Sequence, residues 1–150
     1  MSDLAFNRQA LYDYEILEKY EAGLVLAGFE VKSIRTGHIS LQGAYVVIRG
    51  DEAYLLNAAI PPYQPKNTPA GYEPTRSRKL LLHRTEIASL VGLAKQKGLT
   101  LVPLRVYNKS GKIKLEFALA RGKKEYDKRE KISRREADRK IQRVLRGKLE

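Results

Sequence analysis

The reactive side chains of this sequence are few and scattered. Its two histidines, His38 and His83, have no carboxylate at the spacing a shared metal ion or a proton relay requires. Both are expected on the surface or in loops. Ser33, Ser40 and Ser77 lack the glycine frame of a nucleophile elbow, and no glycine-rich loop is present to cradle a nucleotide phosphate. With no cysteine there is no thiol nucleophile, disulfide framework or thiolate metal site. Neither an enzyme nor a resident cofactor or metal is expected. Fixed positive charge, in contrast, is abundant and clustered. Arg76, Arg78 and Lys79 fall together, Lys32 and Arg35 form an earlier pair, and residues 121–130 gather several cations around Tyr126. Such cations meet phosphate oxygens without reading sequence, and a tyrosine ring among them can stack on a base. The chemistry in prospect is the holding of a polyanion.

The whole chain of 150 residues carries 29 Lys and Arg against 17 Asp and Glu, a net charge of +12. An excess of this size points to nucleic acid or an anionic membrane surface as partner. It is unevenly spread: residues 121–150 hold 13 basic and 6 acidic side chains, +7 of the total. The division predicted is a body over residues 1–120 and a basic tail over residues 121–150. The length suits one domain with a real core. The first residues lack the charged-then-apolar order of a signal peptide, and no apolar run reaches the ~20 residues that span a bilayer. A soluble, cytoplasmic protein is expected.

The elements that must position these cations read mainly as strands. Residues 24–26 make a short apolar run after Gly23, and residues 44–49 and 53–58 read as a hairpin turning at Gly50-Asp51-Glu52. Residues 60–74 hold five of the six prolines and are expected as a loop or covering segment. The clearest hairpin joins residues 100–107 to 112–120 through Asn108-Lys109-Ser110-Gly111. There Ile113, Leu115, Phe117 and Leu119 alternate with Lys112, Lys114, Glu116 and Ala118, so period two predicts an apolar face and a lysine face.

Helical spacing predicts a helix over residues 86–97, opening near Thr85, with Ile87, Leu90, Val91 and Ala94 on one side and Gly98 as its stop. Residues 29–35 fit a helical turn or a strand. Residues 133–146 place Ala137, Ile141, Val144 and Leu145 on one stripe with arginines around it. A stripe that narrow makes a marginal helix alone in water, so this segment is expected to fold against a partner surface. A membrane could serve a basic amphipathic helix, but the large aromatic anchors are missing. The fold class predicted is mainly β with α: a small antiparallel OB-like β-barrel with two to three helices and a basic C-terminal tail.

Several strings, in order, resemble the signature of the SsrA-binding protein (small protein B) family. They are Tyr20-Glu21-Ala22-Gly23 with Leu24-Val25-Leu26, then Glu30-Val31-Lys32-Ser33-Ile34-Arg35 with Gly37, and Pro62-Tyr63. Arg78-Lys79-Leu80-Leu81-Leu82-His83 with Glu86-Ile87 follows, then Lys97-Gly98-Leu99-Thr100-Leu101-Val102-Pro103-Leu104 and the run from Gly122 to Glu130. The chain departs from the family pattern at Tyr12-Asp13-Tyr14, at Gly43-Ala44 before Tyr45, and at Gly71-Tyr72-Glu73-Pro74.

The resemblance implies a monomeric protein that binds the tRNA-like domain of transfer-messenger RNA (the SsrA RNA). It further implies delivery of that RNA to stalled ribosomes for trans-translation. Alanyl-tRNA synthetase and elongation factor Tu would act with it indirectly, through the RNA. The tail would sense the empty message channel at the small-subunit decoding centre and its 16S rRNA. Competing readings are a ribosomal protein or translation factor with a similar barrel, and an enzyme acting on RNA.

By the same resemblance Asn7, Glu21, Leu81 and Lys114 match positions the family sets against the tRNA-like domain. Glu21 can accept from base or ribose donors, Asn7 can donate and accept, Leu81 can pack on a base or sugar, and Lys114 can meet a phosphate. Lys32, Arg35, Arg76, Arg78 and Lys79 are expected as phosphate contacts. In the tail, Gly122, Lys123, Lys124, Tyr126, Asp127, Lys128, Arg129, Arg134, Arg135, Arg139, Lys140 and Arg143 are expected at the decoding centre or in the message channel.

Overall fold

Alternating apolar residues and positive-φ turns set the course of the chain in a computed structural model, which describes residues 3–123. In order, the elements are β1 (Asp3–Phe6), α1 (Arg8–Asp13), β2 (Tyr14–Leu24), α2 (Gly28–Arg35), β3 (Tyr45–Arg49) and β4 (Glu52–Leu56). A 3₁₀ turn at Pro65–Asn67 precedes β5 (Arg78–Leu81), α3 (Arg84–Ala94), β6 (Leu99–Lys109) and β7 (Lys112–Gly122). The strands form one sheet in the order β1-β6-β3-β4-β5-β2-β7, with β6 also paired to β7. All named pairings are antiparallel, and each of β2 to β7 has at least two sheet neighbours.

The two hairpins stand where the sequence placed them, except that in the first Glu52 is paired with Arg49 instead of lying in the turn and its second strand stops at Leu56, short of residue 58. The β6–β7 ladder is longer than expected because Ser110 and Gly111, both at positive φ, make the whole turn and leave Asn108 and Lys109 paired in β6. Residues 60–74 contribute no strand. Residues 29–35 belong to helix α2, opened when Glu30 Oε1 accepts from the Ala27 amide at 2.9 Å. Helix α3 starts one residue after His83 and ends at Ala94, with Glu86 Oε1 accepting from the His83 amide at 3.2 Å, so the opening sits upstream of Thr85. β1 and α1 had no predicted counterpart. The apolar run 24–26 is only the end of a strand: β2 covers residues 14–24, and Val25 and Leu26 lie beyond it. The predicted helix over residues 133–146 lies outside the described residues.

One core runs inside the sheet, formed by residues such as Ala22, Ile34, Leu55, Leu80, Leu90, Leu101, Val106, Leu115 and Phe117. A second, smaller cluster lies on the other face of β6 and β7, where Ala10 of α1 covers Val102, Leu104, Ala118 and Ala120. Ala118 therefore does not share an open face with the lysines; it is covered by α1, as the smallness of alanine allows. β-bulges reconcile the two clusters. Leu101 and Val106 both face the main core although they are an odd number of residues apart, because the register shifts between Pro103 and Arg105. Pro103 is tolerated in a paired strand at that irregularity.

Candidate functional site

The three strands β5, β2 and β7 lie side by side, and their outward faces carry three of the matched residues. Leu80 and Arg78 point inward from β5, so Lys79 and Leu81 point outward. On β2 Ala22 packs into the core, which leaves Glu21 and Gly23 on the outer face, Gly23 itself being covered by Leu81. Over the first half of β7 the inward residues are Ile113, Leu115 and Phe117, which leaves Lys112, Lys114 and Glu116 outside. Register then assembles the site: Gly23 pairs with Leu81 on one side and with Lys114 on the other. A Cβ at position 23 would meet Leu81 Cβ at 3.3 Å, so any larger residue there would push Leu81 off the strand by a few tenths of an ångström. Leu81 rests on this bare backbone and is 55% exposed, the most exposed of the large apolar side chains among the described residues.

Beside it opens a cleft of about 290 Å³, lined by Gly23, Leu26, Val31, Arg35, Leu81 and Lys114 among others. Arg35 reaches it from α2, with Nη2 donating to the Gly111 carbonyl at 2.9 Å. Lys32 is exposed on the same helix. Lys79 points outward two residues before Leu81 and pairs with Glu52 Oε1 at 3.1 Å. Glu21 is held by the Tyr107 hydroxyl and by Lys109, whose Nζ lies 3.1 Å from Oε1. The Tyr107 bond, then Lys109 and Lys114, keep the Glu21 carboxyl below the usual carboxylate range against the opposing effect of burial. The face thus offers an apolar contact, an ionised acceptor and a rim of cations. That set suits a sugar or base lying on Leu81, donors meeting Glu21, and phosphates along the rim.

Asn7 stands elsewhere. It caps α1, with Oδ1 accepting from the Ala10 amide at 3.3 Å and Nδ2 donating to the Pro103 carbonyl at 2.9 Å. Strands β6 and β7 separate its neighbour β1 from β2. Asn7 lines two other clefts, of about 360 and 400 Å³, and not the one beside Leu81. A larger cleft, about 420 Å³, opens between α3, β3 and the start of β6 and holds none of the expected site residues.

Arg78 requires a correction. It was expected to meet phosphate, yet its side chain is fully buried, with Nη2 at 2.6 Å and Nε at 3.0 Å from Glu30 Oε2. Its remaining donors reach the carbonyls of Ala58, Pro74 and Arg76. Arg76 donates to the same carboxylate through Nε at 3.1 Å and through Nη2, and keeps partial exposure. Tyr72 completes the cluster, its hydroxyl donating to the Ile60 carbonyl at 2.7 Å and accepting from Arg78 at 3.0 Å. This is a buried clamp that ties α2 to residues 58–76. A readable signal was present: Arg78 is two residues from Leu80, hence on the inward face of a strand, and Glu30 supplies the counter-charge.

Of the tail positions, Gly122 closes β7, and Lys123 binds back through its amide to Asp13 O at 2.9 Å and through Nζ to Leu11 O at 3.2 Å. Lys124, Tyr126, Asp127, Lys128, Arg129, Arg134, Arg135, Arg139, Lys140 and Arg143 lie outside the described residues. His38 and His83 are exposed at the ends of α2 and α3, and no group of possible metal ligands occurs among the described residues.

Fold and site together define a small, mainly antiparallel β protein with three helices and an outer face where cations ring an exposed leucine. The SmpB protein family model matches residues 4–147, and the chain belongs to that family. It is 52% identical to the SsrA-binding protein of Sulfurihydrogenibium over 146 residues, covering 97% of this chain and 95% of that protein. It is 55% identical to the SsrA-binding protein of Trichodesmium erythraeum over 139 residues, covering 93% and 89%. A chain from the solved structure "tmRNA-SmpB: a journey to the center of the bacterial ribosome" is 49% identical. The match covers 81% of this chain and 85% of that one, with a TM-score of 0.67.

Proposed function

We propose that this protein binds transfer-messenger RNA and acts with it on stalled ribosomes in trans-translation. Family membership over nearly the whole chain carries the reading, and the exposed Leu81 seated on Gly23 among cations supports it at the level of chemistry. The sheet is an OB-like barrel whose outer face at β5, β2 and β7 takes the tRNA-like domain, with Glu21, Leu81 and Lys114 as its centre. Asn7 makes a separate contact at α1. The tail beyond Lys123 works at the decoding centre, and alanyl-tRNA synthetase and elongation factor Tu join through the RNA. The protein is a non-enzymatic, cytoplasmic, monomeric adaptor. No described helix is long and apolar enough to cross a membrane.

Filter binding of transfer-messenger RNA against bulk tRNA and rRNA tests the assignment. The wild-type chain should prefer transfer-messenger RNA, and Leu81→Asn should weaken that binding by about tenfold or more, the scale of uncovering a leucine side chain. Equal affinity for all three RNAs, or an unaffected variant, contradicts it.

Salt gives an independent check. With Arg78 buried, Arg76 held on Glu30 and Lys109 held on Glu21, the cations left to meet phosphate are Lys32, Arg35, Lys79, Lys112 and Lys114. Neutralising about five phosphates gives a log–log slope of affinity against salt of roughly −3.5 on the single-strand coefficient. Affinity that stays flat as salt rises would remove the electrostatic part of the account.

A further inference from the structure

Glu21 is not left to rotate freely on its strand. Tyr107 belongs to β6 and pairs with Lys114 of β7, yet its hydroxyl crosses β7 to donate to Glu21 on β2. Its ring is buried at 1% exposure, with the Arg105 guanidinium carbon 4.3 Å from the ring centre. Arg105 is itself fixed by Asp3 at 2.7 Å and Glu116 at 3.2 Å. Lys109, two residues further along β6, reaches both oxygens of Glu21, Oε1 at 3.1 Å and Oε2 at 3.3 Å. The Glu21 side chain nevertheless remains 38% exposed. A carboxylate has about four acceptor positions, so the three bonds from Tyr107 and Lys109 leave capacity directed at solvent. An unrestrained glutamate would lose rotamer freedom on binding, and a pre-set one avoids that cost.

We propose that Tyr107 is a positioning residue for RNA recognition: its hydroxyl, with Lys109 as a second hold, fixes the Glu21 carboxylate so that its outward lone pairs accept from ribose or base donors. This rests on the assignment of Glu21 to the RNA-binding face. Around Glu21 the titratable and charged groups are Tyr107 and Lys109 from β6, Lys114 and Glu116 from β7, and Lys19 on its own strand. The Tyr107 bond is foremost among those that keep Glu21 ionised. Burial, then the hydrogen bond to Glu21, raises the Tyr107 phenol above its ordinary value, so it stays a donor at neutral pH.

The test is a double-mutant cycle in the full chain, with Tyr107→Phe, Glu21→Ala and their combination. Affinity is read by filter binding to a transcript of the tRNA-like domain of transfer-messenger RNA. Tyr107→Phe removes one oxygen from a buried ring and should weaken binding on the order of tenfold, the scale of one hydrogen bond to a charged group. Combined with Glu21→Ala it should cost nothing further. Lys109→Met, which leaves the core untouched, should give a smaller loss in the same direction. An NMR titration of the Glu21 carboxyl in the free protein should show its midpoint raised by Tyr107→Phe. A Tyr107→Phe loss of equal size in the Glu21→Ala background, or an unmoved Glu21 midpoint, would assign Tyr107 a merely structural role and overturn the proposal. If Glu21→Ala weakens binding and Tyr107→Phe does not, the positioning role alone fails. If Glu21→Ala binds as the wild type does, the placement of Glu21 at the RNA fails, and the proposal with it.

Discussion

Ended after Lys123, the protein is expected to keep its hold on transfer-messenger RNA and to lose tagging on stalled ribosomes altogether. The cut falls there because β7 continues to Gly122 and Lys123 bonds back to the carbonyls of Asp13 and Leu11. A break after residue 120 would unpair the end of the β2–β7 ladder, where Tyr14 faces Gly122 and Glu15 faces Arg121. The shortened chain keeps the Leu81 face intact and gives up cations of residues 124–150, whose attraction to RNA is non-specific. The affinity loss at physiological salt should therefore stay below about tenfold. Filter binding and a tagging assay on ribosomes stalled at a truncated message read the two halves separately. Loss of both functions, or of neither, would overturn the division between body and tail.

The second large effect concerns stability. Glu30→Ala leaves Arg78 buried with no counter-ion, and breaking a buried pair from one side costs about 3–5 kcal/mol. That is a large share of the ~5–15 kcal/mol that holds an ordinary domain together, and the melting temperature should fall on the order of 15 °C. Adding Arg78→Leu should recover part of the loss by removing the unpaired charge. A single variant melting within a few degrees of the wild type would show that the clamp contributes little.

The same clamp fixes a pH dependence. Burial pushes the Glu30 carboxyl up, and hydrogen bonds from Arg76, the Ala27 amide and Arg78 outweigh it, holding the group at about 2 against an ordinary 4.5. A carboxylate depressed in the folded state stabilises fully above its ordinary value and progressively less as pH falls toward the folded one. The urea midpoint should hold level down to the ordinary carboxylate value of 4.5 and fall below it toward 2. In Glu30→Gln that acid limb should be shallower; an unchanged limb would place the acid sensitivity elsewhere.

Much of this fold could be read from pattern, and the misses have physical reasons. Both hairpins were legible because glycine marks the turns and β7 begins with regular alternation, although β6 slips phase at its bulge between Pro103 and Arg105. β2 was not, because its phase slips at a bulge between Ile16 and Glu18 and charged residues fill its outward positions. α1 has only one buried residue, Ala10, too little for a helical stripe to register. The site was legible in part: Glu21, Leu81 and Lys114 converge through strand register that no local spacing announces, whereas Asn7 does not join them. Arg78 was misread because a cationic cluster looks solvent-facing until its strand partner Leu80 is recognised as core. Tyr107 was missed because an apolar strand hides a hydroxyl that reaches across a neighbouring strand.

The outward face of β5, β2 and β7 as the seat of the RNA is tested most directly by photo-crosslinking. A crosslinking side chain placed at Leu81, with the same group at the exposed Ser89 of α3 as control, is irradiated in cells and the attached RNA is sequenced. Transfer-messenger RNA, joined through its tRNA-like domain at Leu81 and well above the control, is the result expected. Crosslinks at Leu81 no stronger than at Ser89, or to bulk tRNA and rRNA in proportion to their abundance, would contradict it.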